Sequence, residues 1–216
     1  MSEKLLSEEL PFEINPLYEE IINGIQEKHY AIVDDFLTSD LVASLREILQ
    51  QKHEEDELKK SAVGNRTNEI IVEAIRGDFI QWMDEAKASD VESQFFQCIQ
   101  DLVNYLNRTC FMGILHKEFH YAVYPKGTFY KRHLDTFQND DRRVLSVVFY
   151  LNDENWETSN GGELAIYEPT EYGEKTKLIF PLPGRLVIFE SQILEHEVLP
   201  VKASQRLSIT GWLKTR

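Results

Sequence analysis

Three residues of this chain have the types and the order of a metal site. His133 and Asp135 lie two positions apart, so on an extended strand both side chains leave the same face. His196 follows about sixty residues later and can supply a third ligand. Two imidazoles and one carboxylate on one side of an ion leave its other positions open, which suits a non-haem Fe(II) centre. Since His-x-Asp alone is a weak pattern, the rest of the chain must support this interpretation.

A positively charged residue follows the last candidate ligand and could bind a cosubstrate. Arg206 comes ten residues after His196. An iron oxygenase that uses 2-oxoglutarate needs a positive group for the far carboxylate of this cosubstrate. Arginine suits the task because its planar fork binds carboxylates in a bidentate manner and stays charged when buried. Nearby tyrosine hydroxyls can add neutral donors.

The other histidines support no second metal site. His116 and His120 have i, i+4 spacing, but Lys117 occupies the place of the glutamate that a zincin helix requires. His120 shares strand parity with Tyr124, which predicts that it lines the interior of a barrel. The two remaining histidines lie in polar helical stretches and are predicted at the surface.

Composition excludes several classes of function. The chain has 216 residues, with Lys+Arg 23 against Asp+Glu 37 and a net charge of -14. This acidity argues against binding to nucleic acid or to an anionic membrane. Cys98 and Cys110 are predicted to be buried free thiols. Without a signal-like N-terminus or an apolar run of about 20 residues, the chain is expected to be cytoplasmic. It is also expected to be a monomer.

The first half of the chain has helical periodicity. We predict a helix from Leu17 to Lys28, a short strand at Ala31–Val33 and a helix capped by Thr38 or Ser39. Residues 61–69 have turn formers and are predicted to be a loop. Ser89 and Glu92 form a capping box before a further amphipathic helix.

After residue 113 the period changes to that of strands. Predicted strands are Phe119–Tyr124, Val144–Leu151, Glu163–Tyr167, Lys177–Phe180, Arg185–Phe189, His196–Val201 and Arg206–Trp212. We predict an α+β fold, a double-stranded β-helix (jelly roll) of about eight strands supported by N-terminal helices. Residues 1–113 would form the helical support and residues 114–216 the catalytic core of one domain. Residues 152–163 and 168–175 are predicted to be surface loops.

Several ordered motifs accompany these residues. They are Ala-Ile-Val-Asp-Asp-Phe-Leu (31–37), Ile-Arg-Gly-Asp-Phe-Ile-Gln-Trp (75–82), Tyr124-Pro, Tyr130-Lys-Arg-His-Leu-Asp135, Arg143 with Phe149-Tyr-Leu-Asn152, Gly161-Gly-Glu-Leu, His196-Glu-Val-Leu-Pro200, and Arg206 with Thr210-Gly-Trp212. In this order they resemble the prolyl 4-hydroxylases of the Fe(II)/2-oxoglutarate oxygenase superfamily. The resemblance is nearest to the hypoxia-sensing (HIF-type) enzymes and their bacterial relatives, and it covers most of the chain.

The resemblance implies a role for each matching residue. His133, Asp135 and His196 would bind Fe(II), and Arg206 and Tyr150 would hold the distal carboxylate of 2-oxoglutarate. Tyr124 would lie beside the cosubstrate and the metal, and Thr210 and Trp212 would line the pocket and the substrate entrance. Residues 61–78 would form a finger that folds over the substrate. In this finger Arg76 and Asp78 would contribute to substrate binding, and Asp78 can pair with Arg143 on the core.

The implied activity is hydroxylation of a prolyl residue in a protein. It would consume 2-oxoglutarate and O2 and release succinate and CO2, with ascorbate as a further candidate cofactor. A translation elongation factor is a candidate substrate, as it is for bacterial members of this group. Two alternatives stay open: a hydroxylase of a free amino acid or other small molecule, and a catalytically silent jelly roll that only binds metal or partners. A peptide substrate predicts an open groove, whereas a small molecule predicts a closed pocket.

Overall fold

The structure is a computed structural model that describes residues 13–61, 75–136 and 142–215. Its three α-helices are α1 (Pro16–Lys28), α2 (Ser39–Glu54) and α3 (Asp90–Cys110). Its strands are β1 (Tyr30–Val33), β2 (Lys59–Lys60), β3 (Phe79–Trp82), β4 (His116–Pro125), β5 (Tyr130–His133), β6 (Arg143–Tyr150), β7 (Leu164–Thr170), β8 (Gly173–Ile179), β9 (Leu186–Glu190), β10 (Glu195–Val198) and β11 (Gln205–Lys214). None of the helices in these ranges is both long and apolar enough to cross a membrane.

The helices begin where side chains satisfy the first backbone N–H groups. The Asn15 side chain accepts from two amides at the start of α1, and Thr38 accepts from the amide of Leu41 at the start of α2. Ser89 and Glu92 form the predicted capping box of α3. Each helix therefore starts within one residue of its predicted position.

The strands form two antiparallel sheets that face each other. The major sheet has the order β1-β9-β6-β11-β4-β3-β2, and the minor sheet has the order β5-β10-β7-β8. Strands β4 to β11 alone contribute four strands to each sheet, which is the double-stranded β-helix that the sequence predicts. The additional strands β1, β2 and β3 extend the edges of the major sheet.

The helices cover the outer face of the major sheet. Phe95 of α3 packs edge-to-face against Phe119 of β4 and Phe149 of β6, with ring centroids 5.2 and 5.1 Å apart. These aromatic contacts belong to the largest apolar cluster, which joins all three helices to the sheet. Because this face is filled by apolar side chains, polar groups of the same strands point to the inner face.

Two local predictions need correction. Residues 168–175 do not form a loop, because they belong to the hairpin of β7 and β8. The edge strand β8 is exposed from Gly173 to Leu178, so its sequence lacks the alternation that identifies a half-buried strand. In addition, β5 ends at His133, and Asp135 lies in the following bend rather than on the same strand.

One further loop prediction is confirmed, and the prediction for the cysteines is confirmed in part. Residues 152–163 form an irregular connection with one turn of 3-10 helix at Thr158–Asn160, as expected of a loop. Cys98 and Cys110 are free thiols, although both are partly rather than fully buried. Most of the predicted finger falls at 62–74, outside the described residues.

Candidate metal centre and cosubstrate pocket

A cavity of about 730 Å³ lies between the two sheets. This volume is within the usual range of small-ligand pockets. The cavity gathers most of the predicted site residues, namely Arg76, Tyr124, His133, Asp135, Arg143, His196, Arg206, Thr210 and Trp212. Residues separated by up to 136 positions of sequence therefore meet in one space. The strand pairing brings them together, since β10 pairs with β5 and places His196 opposite His133.

Each histidine has a fixed ring orientation. His133 Nδ1 lies 2.7 Å from the carbonyl oxygen of Lys131, and His196 Nδ1 lies 3.2 Å from that of Leu194. A carbonyl oxygen only accepts, so in both rings Nδ1 carries a proton, and Nε2 is the nitrogen left to bind a metal. Both Nε2 atoms face Asp135. Burial also lowers the pKa of His196 to about 4, which favours the neutral imidazole that binds metals.

The carboxylate of Asp135 lies between the two imidazoles. Its Oδ1 is 3.4 Å from Nε2 of His133, and its Oδ2 is 3.5 Å from Nε2 of His196. Burial alone would raise the pKa of Asp135, but the two histidines and a hydrogen bond from Ser146 hold it below its usual range. The three ligand atoms lie within 4.8 Å of one another and form the only such group found in the described ranges. The donor set fits a divalent iron ion with open positions.

Aromatic rings hold the two imidazoles from behind. The ring of Tyr130 stacks on His133 with centroids 3.7 Å apart, and Phe189 contacts His196 edge-on at 4.6 Å. These contacts restrict ring rotation about the positions set by the Nδ1 hydrogen bonds. The ligands are therefore oriented before any metal binds.

Arg206 lies deep in the cavity and is 1% exposed. Its Nη1 donates to Ser208 Oγ at 3.1 Å, while its Nε has no hydrogen-bond partner among the described residues. No carboxylate of the described residues lies within ion-pair distance of it. A buried guanidinium without a counter-charge is costly, and a ligand carboxylate would offset that cost. This unpaired cation fits the distal carboxylate of 2-oxoglutarate.

Two tyrosines surround the guanidinium. Its Cζ lies 5.0 Å from the ring centroid of Tyr124 and 4.9 Å from that of Tyr150. The hydroxyl of Tyr150 is also buried, and by distance and angle it makes no hydrogen bond with any described residue, although the nearby Arg206 influences its pKa. Burial raises the pKa of both phenols, so both remain neutral hydrogen-bond donors. The arrangement provides one charged and one neutral donor that a carboxylate could accept from.

The Gly161-Gly162 pair allows the close approach of this arginine. A Cβ on Gly162 would lie 3.2 Å from Cδ of Arg206, and one on Gly161 would lie 2.4 Å from the carbonyl oxygen of Pro200. Both glycines also have φ of +70°, in the left-handed region. The lack of space for a Cβ and the positive φ therefore explain why glycine occupies both positions beside Arg206.

Strand β11 sets the depth of the site. Its inward positions are Arg206, Ser208, Thr210 and Trp212, which span about 20 Å. Trp212 lies near the mouth, where the guanidinium of Arg143 stacks over its ring at 3.6 Å. Trp82 beside it lines the cavity and is 53% exposed. The cavity thus runs from a charged base to an aromatic rim that is open to solvent.

The predicted partner of Asp78 is wrong in this structure. Both oxygens of Asp78 accept from Arg76, at 2.8 Å from Nε and 2.6 Å from Nη2. Arg143 instead contacts Glu118 at 3.0 Å and the carbonyl oxygen of Asp135 at 3.3 Å. Arg76 lies two residues from Asp78 and can reach it locally, whereas Arg143 is held at the Trp212 ring. Because Asp78 is 1% exposed, its pairing with the adjacent arginine satisfies a buried charge.

Three residues near the site were not predicted to have functional roles. Ser146 donates to Asp135, Tyr130 supports His133, and His120 lies between Trp82 and Trp212 in the cavity wall. Strand parity with Tyr124 correctly indicated that His120 faces inward. No comparable signal identified Ser146, because a serine on a buried strand has many possible partners.

Comparison with known proteins decides the family. Residues 119–214 match the family model described as the 2OG-Fe(II) oxygenase superfamily. A prolyl-4-hydroxylase structure from Pseudomonas putida is 35% identical in sequence, covers 92% of this chain and 99% of its own, and superposes with a TM-score of 0.80. The chain belongs to the prolyl 4-hydroxylase family. Iron and 2-oxoglutarate, which the superfamily name specifies, are the groups that the cavity fits.

Other members of the family are related along nearly the whole chain. A prolyl hydroxylase from Trichoplax adhaerens, in complex with a hypoxia inducible factor peptide, is 28% identical and covers 92% of this chain and 89% of its own, with a TM-score of 0.81. The hypoxia-inducible factor prolyl hydroxylase of Caenorhabditis elegans is 28% identical over 204 residues, and human Egl nine homolog 1 is 29% identical over 209 residues. These two matches cover 90% and 89% of this chain. The chain spans only 28% and 46% of the two relatives' own lengths.

Proposed function

We propose that this protein hydroxylates a prolyl residue in a protein substrate. The reaction consumes O2 and 2-oxoglutarate, converts one C–H bond to C–OH and releases succinate and CO2. One observation carries the proposal: a His133–Asp135–His196 cluster lines the same cavity as the buried Arg206, which has no ion-pair partner in the part of the chain that the structure describes. Family membership supports the same reaction type.

In this proposal His133, Asp135 and His196 hold Fe(II). The ion supplies the activation of O2, which no side chain of this chain can perform. The protein contributes ligands whose orientation is already fixed by backbone carbonyls and neighbouring rings. The open side of the cluster faces the cavity, where the cosubstrate and substrate have access.

Arg206 and Tyr150 bind the distal carboxylate of 2-oxoglutarate. Their partnerless Nε and hydroxyl atoms lie in the same buried region and can each donate a hydrogen bond. Tyr124, whose ring adjoins the guanidinium, keeps this end of the cavity free of bulk water. The cosubstrate is thereby oriented with its reactive end toward the metal ligands.

The open rim favours a peptide over a small molecule. Trp82 and Leu134 line the cavity and are 53% and 38% exposed, and the exposed residues Lys59 and Lys60 extend the wall. A segment of protein can enter such a mouth without prior unfolding of the enzyme. Thr210, Trp212, Arg76 and Arg143 also line this cavity and would contact the substrate within it. The peptide-bound Trichoplax relative is compatible with this mode of access.

The proposed partner is a protein with an exposed target proline, with a translation elongation factor as one candidate. The net charge of -14 favours a partner with a basic surface around that proline. We also propose that the protein is cytoplasmic, which its two free thiols support, and that it acts as a monomer.

The proposal can be tested by reconstitution. Protein loaded anaerobically with Fe(II) is given 2-oxoglutarate, O2 and fractionated lysate, and succinate is quantified. We expect succinate release that rises with one lysate fraction and is absent for His133→Ala. His116→Ala is the matched control, because this exposed histidine lies on β4 outside the ligand cluster. Equal succinate release from the wild type and His133→Ala would contradict the proposal.

A further inference from the structure

Two buried serines connect the metal ligand Asp135 to the major sheet. Ser146 Oγ lies 2.7 Å from Oδ2 of Asp135, and Ser191 Oγ lies 2.8 Å from Ser146 Oγ. Both serines are 0% exposed. Ser146 belongs to β6, whereas Ser191 directly follows β9, and its amide donates to the carbonyl of Val144 at 3.2 Å. The two hydroxyls therefore belong to adjacent strands of the same rigid sheet.

The direction of these hydrogen bonds follows from the donor inventory. An ionised carboxylate only accepts, so the single proton of the Ser146 hydroxyl points to Asp135. Ser146 then has no second proton to give to Ser191. Ser191 must donate to Ser146, and the chain runs from Ser191 through Ser146 to Asp135 in one direction.

The side chain of Asp135 needs such support although Arg143 donates to its backbone carbonyl, because that contact leaves the carboxylate free to rotate. It lies in a bend two residues after the end of β5, outside the strand ladder. The terminal torsion of an aspartate is broad and roughly two-fold, so the carboxylate could rotate when unsupported. A charge-assisted hydrogen bond to one oxygen removes this freedom. The sheet thereby sets the plane of a ligand that belongs to a loop.

We propose that Ser191 and Ser146 are positioning residues that orient the Asp135 carboxylate for metal binding. The proposal rests on the metal centre of the proposed function, not on the identity of the substrate. Ser146 orients Asp135 directly, and Ser191 acts through Ser146. Neither serine binds the metal, so each should change metal affinity without removing a ligand.

The test measures metal binding in the full chain. Mn(II) is titrated into metal-free protein, with free Mn(II) followed by electron paramagnetic resonance, and Co(II) absorption reports the ligand geometry. We expect Ser146→Ala to weaken Mn(II) binding by about 10- to 100-fold. Ser191→Ala should produce a smaller loss in the same direction, and Ser146→Thr, which keeps the hydroxyl, should recover most of the affinity.

Ser208→Ala is the matched control. Ser208 is also 0% exposed and lies on the neighbouring strand β11, but its hydroxyl contacts Arg206 rather than Asp135. It should retain wild-type Mn(II) affinity. Wild-type affinity in Ser191→Ala would overturn the proposal, as would equal losses in Ser146→Ala and Ser146→Thr, which would assign the effect to packing.

The outcome can be separated from that of the proposed function. Suppose that no lysate fraction stimulates succinate release but Ser146→Ala and Ser191→Ala still weaken Mn(II) binding. The positioning role of the two serines is then supported, and the proposed prolyl hydroxylase activity is contradicted. Since Ser191 is farther from the metal, Ser191→Ala decides the matter if Ser146→Ala does not fold.

Discussion

The guanidinium of Arg206 lies 4.9 Å from the ring of Tyr150, and each of these fully buried side chains has a polar atom that makes no hydrogen bond within the described ranges. Unsatisfied buried groups are rare in native proteins and are costly where they occur. Two of them side by side at the base of a cavity identify the place where a polar ligand completes the structure. Ligand binding and stability should therefore change in opposite directions when one of these atoms is removed.

Arg206 is predicted to determine the affinity for 2-oxoglutarate. Arg206→Ala should raise the KM for 2-oxoglutarate about 10- to 100-fold, because hydrogen bonds to a charged group contribute roughly 1.5–3 kcal/mol. Arg206→Lys keeps the charge but loses the planar fork, so an intermediate KM is expected. Steady-state succinate kinetics measure both. A KM within error of wild type in Arg206→Ala would remove the assigned role.

Tyr150→Phe is predicted to separate stability from function. Removal of an unpaired buried hydroxyl should raise the free energy of unfolding of the ligand-free protein by about 1 kcal/mol, whereas 2-oxoglutarate should bind less tightly. Urea unfolding and calorimetric titration measure the two effects. A destabilised Tyr150→Phe would mean that this hydroxyl has a protein partner.

The Asp78 pairing can be tested with double-mutant cycles on the ligand-free protein. Asp78→Ala should cost about 3 kcal/mol of unfolding free energy, because it leaves Arg76 half-buried without its counter-charge. The cycle of Asp78→Ala with Arg76→Ala should give a coupling of about 1–3 kcal/mol. The cycle of Asp78→Ala with Arg143→Ala should be additive within error. Coupling to Arg143 but not to Arg76 would contradict the structure.

His120 is predicted to make stability depend on pH. Burial lowers its pKa from 6.5 to about 4. The charged groups that influence it are Arg76, Asp78, Asp135 and Arg143. The unfolded chain therefore binds more protons than the folded protein between these two values, and the free energy of unfolding falls as pH falls through this window. The full loss is about 3 kcal/mol, and it is complete below about pH 4.

The measurement compares the wild type with His120→Phe by urea unfolding from pH 7 to pH 4. The unfolding free energy of His120→Phe should increase relative to that of the wild type as the pH decreases. The comparison isolates His120 from other groups that titrate in both proteins. Parallel pH profiles would show that His120 is not held neutral by the fold.

Much of the candidate site could be predicted from the sequence, because the types and the order of its residues together match one kind of chemistry. A histidine, an aspartate and a distant histidine followed by an arginine indicated an iron site, and the resemblance of the accompanying motifs to prolyl 4-hydroxylases then implied a role for each residue. Alternation along the strands then predicted that Tyr124 and His120 face inward. The caps of α2 and α3 were equally readable, since their hydrogen bonds are local in sequence.

The remaining features depend on tertiary contacts that local patterns do not encode. Asp135 reaches the two histidines from a bend, so the two-residue periodicity of a strand predicted the right proximity for a partly wrong reason. The choice of Arg76 over Arg143 as the partner of Asp78 is set by the Trp212 ring, which holds Arg143. The contact between Ser146 and Ser191 forms only when β6 and β9 pair. Strand β8 is also difficult to predict, because its exposed residues lack the apolar alternation of a half-buried strand.

The central claim is hydroxylation of a prolyl residue at this iron site, and mass spectrometry of lysate proteins tests it most directly. Lysate is incubated with Fe(II), 2-oxoglutarate and O2, together with either the wild type or His133→Ala. We predict a gain of one oxygen at a proline of one protein or a few proteins, present only with the wild type. Succinate release without any modified proline, or the same modification with His133→Ala, would contradict the claim.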